Sequence, residues 1–311
     1  MAPSIAVIIN PISGTGGRIE VARARAERAA ALIAARGVDA DVFMTERPGH
    51  ARELAMAALG RGVTTVVAWG GDGTMNEIAS VLAFRDATLA LVPSGSGNGL
   101  ARELLIPVDP DRAFEIAFSG RQCRIDAGEL DGHLFFNIAG IGLDARVAHR
   151  FAEDGLVRRG FLRYLKIAAQ ELLTYRAESR TIVTDGVAIR VDALIIAIAN
   201  ARQYGNGALI APQARLNDGR LDVVVIEGRS AIAALAHVPR LFTGQIGRVR
   251  GVTQLHARHI EITSAAPMVY HVDGEPFVGG ASIAARSRSG ALQVMVSADA
   301  RPTVLGYSAT A

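Results

Sequence analysis

The first third of the chain alternates two hydrophobic periods. Residues 4–9 are a short apolar run with β-branched members and predict a strand. Ile19, Ala22, Ala26, Ala29 and Ile33 then recur at helical spacing, and Gly37 sits where such a helix should stop. Residues 41–45 predict the next strand, 51–59 a helix, and 64–69 and 89–92 two buried strands. Strands alternating with helices imply a parallel sheet covered on both faces, whose ligands bind beyond the carboxyl ends of the strands. Three glycine-rich loops fall there: after Asn10, after Trp69 and after Val92.

From about Arg124 the texture changes to short alternating runs with turn signals: 124–130, 134–138, 181–184, 193–199, 221–226, 259–263, 268–272 and 292–296. They predict a second, mostly antiparallel, β-sandwich-like domain. Two helical inserts interrupt it, at 144–152 and 161–175, and a third helix is expected to start at Ser230 as N-cap. The expected division is an α/β domain over 1–122 and a β-rich domain with helical inserts over 123–311. The C-terminal segment is left free to return to the first domain.

Composition narrows the class. A length of 311 residues suits about two domains, and 50% hydrophobic residues exclude a disordered chain. Lys+Arg is 33 against Asp+Glu 30, and Lys166 is the sole lysine. A net charge of +3 is a mild excess and gives no reason to expect a nucleic-acid partner. Cys123 is the single cysteine, which excludes an intrachain disulfide and suits a reducing cytoplasm. The opening residues read as a strand rather than a signal peptide, and no stretch has the apolar length that spans a bilayer. Any membrane contact is expected to be peripheral, at the inner face. His256 and His259 read as facing opposite sides of one strand, with no metal cluster. Exposed strand edges leave a homodimer open.

The strongest chemical signal is Gly70-Gly71-Asp72-Gly73-Thr74, with Asn76 and Glu77 just after. Glycines let backbone N–H groups approach phosphate oxygens, and a helix N-terminus adds a favourable dipole. An Asp there would repel phosphate unless a cation or a proton transfer needs it, and Mg2+ bridging phosphates is the usual reason. The plainer reading is a tight turn with Asp72 as a helix cap. The sister loops are Asn10-Pro11-Ile12-Ser13-Gly14 running on to Gly17, and Pro93 to Gly99. Neither has the dinucleotide or P-loop spacing, so the three together suggest a phosphate site of another kind.

The second half adds Asp126, Asn137, Gly140 to Ala145, Asn200, the Pro212 to Asp222 segment and Asp273-Gly274-Glu275-Pro276. With the three loops, these resemble the diacylglycerol-kinase catalytic-domain family, which includes bacterial lipid kinases and the sphingosine and ceramide kinases. The resemblance runs nearly end to end. It implies an α/β domain and a β-sandwich-like domain with the active site in the cleft between them. It also implies Mg2+- and ATP-dependent phosphorylation of a lipid hydroxyl, in lipid metabolism such as phospholipid biosynthesis.

By motif, Asn10, Pro11, Ile12, Ser13, Gly14, Thr45, Gly71, Asp72, Gly73, Thr74, Met75, Asn76, Ser96, Gly97 and Asn98 would hold the nucleotide, with Arg18 a phosphate partner. Glu275 would accept the proton, or Asp72 as in the sphingosine-kinase branch. Asp144 would read the lipid head group. A second, structural Mg2+ would use Asp218 with the carbonyls of Arg215 and Arg220. Asp273-Gly274 and Asn217-Asp218-Gly219 also read as plain turns.

The third loop departs from the bacterial pattern: Gly95-Ser96-Gly97-Asn98-Gly99 stands where many members read Gly-Thr-Gly-Asn-Asp. The acceptor class therefore stays open between a diacylglycerol-like and a sphingoid lipid. A kinase for a soluble acceptor such as NAD, and a non-catalytic nucleotide- or lipid-binding protein, are the competing readings. Arg158, Arg159, Arg163 and Lys166 interleave with Leu156, Phe161, Leu162 and Leu165, which suits either docking on an anionic membrane or an ordinary solvated helix.

Overall fold

A computed structural model describes residues 4–14, 19–153, 161–228, 238–299 and 305. It divides into two compact units. One holds the chain up to Ile125 and again over Gly290–Thr303; the other holds Asp126–Ser289 and the chain from Val304.

The first unit is built from β1 (Ile5–Ile9), α1 (Ile19–Arg36), β2 (Ala40–Met44), α2 (His50–Gly60), β3 (Thr65–Gly70), α3 (Asp72–Leu82), β4 (Thr88–Pro93), α4 (Gly99–Glu103) and α5 (Pro110–Ser119). β5 (Arg121–Leu130) and β15 (Ser282–Val296) carry the chain into the second unit and back. The sheet order is β2-β1-β3-β4, with Gln293 and Val294 of β15 beside β4, and every pairing is parallel. β3 and β4 are buried along their whole length, as central strands covered on both faces must be. β1 lies between β2 and β3, so its two neighbours lead the chain in opposite directions. The crevice beyond the carboxyl ends opens at such a switch point, and the loops after β1 and β3 flank it.

Local signals account for these elements. α1 ends in a Schellman arrangement: Val38 N–H donates to Ile33 and Gly37 N–H to Ala34, with Gly37 at φ 60°. α5, absent from the sequence expectations, starts with Asp109 accepting from Arg112 N–H at 3.0 Å and Pro110 in the first turn. Its start signal is plain in Asp109-Pro110. Burial pushes the half-buried Cys123 thiol above its ordinary range, which suits a packing residue rather than a nucleophile.

The second unit contains β6 (His133–Phe135), β7 (Ile138–Gly142), α6 (Leu143–Glu153), α7 (Phe161–Thr174), β8 (Glu178–Thr184), β9 (Val187–Ala199), β10 (Leu221–Glu227), β11 (Val252–Ala257), β12 (His259–Thr263), β13 (Val269–Val272) and β14 (Glu275–Val278). Its pairings are antiparallel, in the order β14-β13-β7-β9-β8-β12, with β12 joined to β15. β10 pairs with β9 and β11. The core gathers Phe135, Ile141, Ile182, Ile196, Val223 and Tyr270 with their apolar neighbours.

Three expectations need correction or a limit. His256 and His259 do not share a strand: Arg258 separates β11 from β12, and His256 lies beside Asp222 of β10 at 2.9 Å. β9 runs six residues further towards the N-terminus than the expected 193–199: Val187, Ile189 and Val191 alternate with Ala188, Arg190 and Asp192, and Ile189 and Val191 pack against the core. The helix expected at Ser230, Arg18 and residues 154–160 of the basic insert lie outside the described residues, as do the side chains of 161–165. Within the described part of the insert, Glu171 is buried and takes both Arg146 and Arg150 of α6. No described helix is long and apolar enough to cross a membrane.

Candidate active site

In the first unit the three loops meet at backbone contact. A Cβ on Gly95 would lie 2.7 Å from the Gly71 Cα. One on Gly71 would come within 3.2 Å of both the Gly95 Cα and the Ser13 Oγ, and one on Gly14 would strike the Ser94 carbonyl. These glycines let loops after three different strands approach one another. Gly73 differs: no described residue lies within 4 Å of its Cβ position, and it is exposed in the first turn of α3. Here the missing side chain leaves room for something outside the chain, where backbone N–H groups and the helix dipole favour an anion.

Side chains lock the platform. Asp72 accepts the Asn98 N–H at 2.8 Å and the Gly99 N–H at 2.7 Å, so the second loop caps the start of α4. Asp72 therefore caps α4 and not its own helix, whose N-cap is Gly71 with no side-chain hydrogen bond. Asn98, 2% exposed and at φ 52°, uses its amide on both backbone groups of Gly95, at 2.9 and 2.8 Å. Asn10 donates to Thr74 Oγ1 at 2.8 Å and accepts from Ile12 N–H at 3.1 Å, joining the first loop to α3. Thr45 follows β2 and donates its N–H to Ile9 beside Asn10.

Ser96 is exposed, Pro11 and Asn76 are half-buried, and Asn76 accepts from Ser80 at 3.2 Å. Met75 is 3% exposed and its N–H donates to Gly71 within the helix, so it serves the core. Gly97 leaves space for Asp72, whose Oδ2 would lie 2.6 Å from a Cβ there.

Two supports escaped sequence reading. Arg25 of α1 donates to the carbonyls of Asn10 at 2.9 Å and Ser13 at 2.8 Å, and sits 5.9 Å from the Trp69 ring centre. Partial burial lowers its pKa. An Arg on the helix face shared with Ala22 and Ala29 was the available signal. Glu77 accepts from Gly49 N–H at 3.0 Å and Arg52 N–H at 3.3 Å, supplying α2 with the cap that Gly49 lacks.

In the second unit, Asp273 (φ 48°) and Gly274 (φ 89°) form a two-residue turn joining β13 to β14, with Val272 opposite Glu275. Both angles are positive, as a type I′ hairpin demands. The Asp273 carboxylate accepts from Phe136, Asn137 and Ile138 N–H groups at 2.9 to 3.0 Å, pinning the turn to the start of β7. Glu275 is exposed just beyond it. Asp144, at the start of α6, is 7% exposed and already engaged: it accepts from Ala145 N–H at 2.8 Å and the Tyr204 hydroxyl at 2.9 Å. Tyr204 is another residue the sequence reading passed over.

The loop carrying Arg215, Asp218 and Arg220 is exposed. Asp218 closes its own turn by accepting the Arg220 N–H at 3.0 Å, and Asp126 holds the Gly219 N–H at 2.6 Å. Desolvation pushes the nearby Asp222 carboxyl up to about 6, the His256 charge opposing the rise and the Asp218 charge adding to it. Asp222 is paired with His256 at 2.9 Å, and Asp218 is flanked by Arg215 and Arg220 in the sequence. Among the described residues no three His, Cys, Asp or Glu side chains are grouped to hold a metal ion. An ion at this loop would take carbonyls and water beside Asp218, as hard cations do.

Residues 4–130 match the diacylglycerol kinase catalytic domain, and residues 137–296 match the YegS C-terminal NAD kinase beta sandwich-like domain. Among curated proteins, the chain is 32% identical to a "Probable lipid kinase YegS-like" of Yersinia enterocolitica, over 78% of this chain and 82% of that one. It is 31% identical to a protein of the same description from Pseudomonas savastanoi pv. phaseolicola, over 85% and 86%. A crystal structure of a diacylglycerol kinase from Bacillus anthracis str. Sterne shares the fold at a TM-score of 0.71, with 19% identity over 97% of this chain and 98% of that one. The fold and its loop platform are those of a phosphotransferase of the kinase class, for which the family implies ATP as phosphoryl donor. The chain belongs to the YegS-like lipid kinase family, which joins a diacylglycerol-kinase catalytic domain to a β-sandwich-like domain.

Proposed function

We propose that the protein transfers the γ-phosphoryl group of ATP to the hydroxyl of a diacylglycerol-like or sphingoid lipid, with Mg2+. The observation that carries the nucleotide half is the loop platform. Gly14, Gly71 and Gly95 are committed to packing, while Gly73, at the first turn of α3, has no described residue within 4 Å of its Cβ position. The acceptor half is supported by the relatives' description as probable lipid kinases and by the exposed Asp-Gly-Glu hairpin.

On this reading the backbone of Asn10 to Gly14, Gly71 to Asn76 and Ser96 to Asn98, with Thr45, surrounds the triphosphate. Asp72 is oriented by its two N–H partners to face a cation. Mg2+ would neutralise charge on the phosphate oxygens. Glu275 takes the proton as the lipid oxygen bonds to the γ-phosphorus and the bond to the β–γ bridging oxygen breaks, releasing ADP. Asp144, held by Tyr204, borders the acceptor head group. Asp218 with the Arg215 and Arg220 carbonyls holds a structural Mg2+. A long-chain acceptor is presented at a membrane surface, so the enzyme works peripherally from the cytoplasm.

The test is transfer of labelled phosphate from Mg·ATP in mixed micelles of diacylglycerol, monoacylglycerol, phosphatidylglycerol, sphingosine or ceramide, with soluble NAD as a further acceptor and Glu275→Gln alongside. A labelled lipid that disappears with the variant establishes the reading. Label in NAD, or in no lipid while ATP binds, overturns it.

A further inference from the structure

His271 lies on β13, two residues before the Asp273-Gly274 turn, and is 5% exposed. Its cross-strand neighbour on β7 is Gly140. A Cβ on Gly140 would come 2.5 Å from His271 Nε2 and would also strike the Asp144 carboxylate. The glycine thus leaves the space in which ring and carboxylate meet. Nε2 stands 3.4 Å from Asp144 Oδ2, and Nδ1 accepts the Gly274 N–H at 3.3 Å. A backbone N–H only donates, so Nδ1 carries the lone pair. In a neutral ring the proton then sits on Nε2, facing the carboxylate. One imidazole therefore touches both Asp144 and the turn that precedes Glu275.

That turn is held from two sides. Three N–H groups at the start of β7 fix Asp273, and the His271 ring fixes the Gly274 N–H. The side chain of the next residue, Glu275, projects from a backbone whose twist these contacts set. We infer that His271 is a positioning residue: it ties the Asp144 carboxylate to the Gly274 N–H and so fixes the Glu275 hairpin relative to the acceptor-binding carboxylate. The inference rests on the roles proposed above for Glu275 and Asp144.

Two conservative variants separate the two contacts. Gln can place its amide N–H near the Nε2 position and keep Asp144 while losing Gly274. Asn can place its carbonyl near the Nδ1 position and keep Gly274 while losing Asp144. In the full-length enzyme, His271→Gln lowers kcat about ten-fold or more with acceptor KM little changed, because a mis-set proton acceptor is felt in the chemical step. His271→Asn raises acceptor KM about five-fold or more with kcat largely kept. A merely structural histidine would move both parameters alike or neither, and either outcome overturns the inference.

Two readouts on the resting protein do not need activity. Nitrogen shifts of His271 should report the proton on Nε2; a proton on Nδ1 overturns the inference. Hydrogen exchange at the Gly274 amide should quicken about ten-fold or more in His271→Gln and stay slow in His271→Asn. Equal protection in wild type and both variants sinks the coupling. If the wild type phosphorylates no lipid, the proposed function fails while these two readouts still decide whether His271 holds the hairpin.

Discussion

The Asp72 carboxylate accepts the backbone N–H of Asn98 at 2.8 Å, so the acidic residue of the second glycine loop is also the clamp on the third. With Gly99 on its other oxygen, both sides of the carboxylate face donors. Asp72→Asn must turn an amide NH2 towards one of those N–H groups in either orientation. The variant should lose phosphoryl transfer and also about 1–3 kcal/mol of stability. A melting curve matching the wild type would contradict the clamp. Loss of activity in this variant therefore does not by itself identify a general base.

Glu275→Gln is the cleaner test of proton transfer. The residue is exposed at the start of β14, so stability should change by no more than about 0.5 kcal/mol. Transfer should fall about 100-fold or more if this carboxylate accepts the proton. Turnover near wild type would remove Glu275 from the chemistry.

Two glycine variants should behave in opposite ways. Gly95→Ala places a Cβ 2.7 Å from the Gly71 backbone and should cost about 1–3 kcal/mol as two loops are forced apart. Gly73→Ala meets no described residue within 4 Å of the added Cβ and should melt at or above the wild-type temperature, since Ala is favoured over Gly in a helix by about 1 kcal/mol. Its affinity for Mg·ATP should nevertheless fall, seen as loss of the thermal shift that ATP gives the wild type. Retention of that shift would argue against phosphate contact at Gly73.

Nucleotide-free protein should melt higher in Mg2+ than after chelation, and Asp218→Ala should lose the difference. Saturation 100-fold above the dissociation constant corresponds to about 2.7 kcal/mol. An equal Mg2+ response in the variant would place the ion elsewhere.

Arg25→Ala should leave the carbonyls of Asn10 and Ser13 without their shared guanidinium and loosen the first loop. The expected signature is a raised KM for ATP with acceptor KM unchanged. An unaltered KM for ATP would show that the loop holds its shape without Arg25.

The sequence by itself determined much of this molecule. Short continuous apolar runs located β1, β3 and β4, each with a glycine loop after it; Gly37 marked the end of α1; Asp273-Gly274 announced its turn. All are encoded within a few residues, where backbone geometry and local hydrogen bonding decide. Edge elements were less legible. β14 is only four residues long, the N-terminal arm of β9 alternates apolar and polar residues instead of continuing its buried run, and β11 merged with β12 because only Arg258 separates them. Tertiary structure alone decided which glycines pack and which stays open, since Gly71, Gly73 and Gly95 are one letter in the sequence and differ only in what faces them. It also decided that Arg25 braces the first loop, that Asp72 caps α4, and that His271 meets Asp144 from 127 positions away. Such contacts exist only after the strands have paired and fixed their register, so local sequence patterns do not specify them.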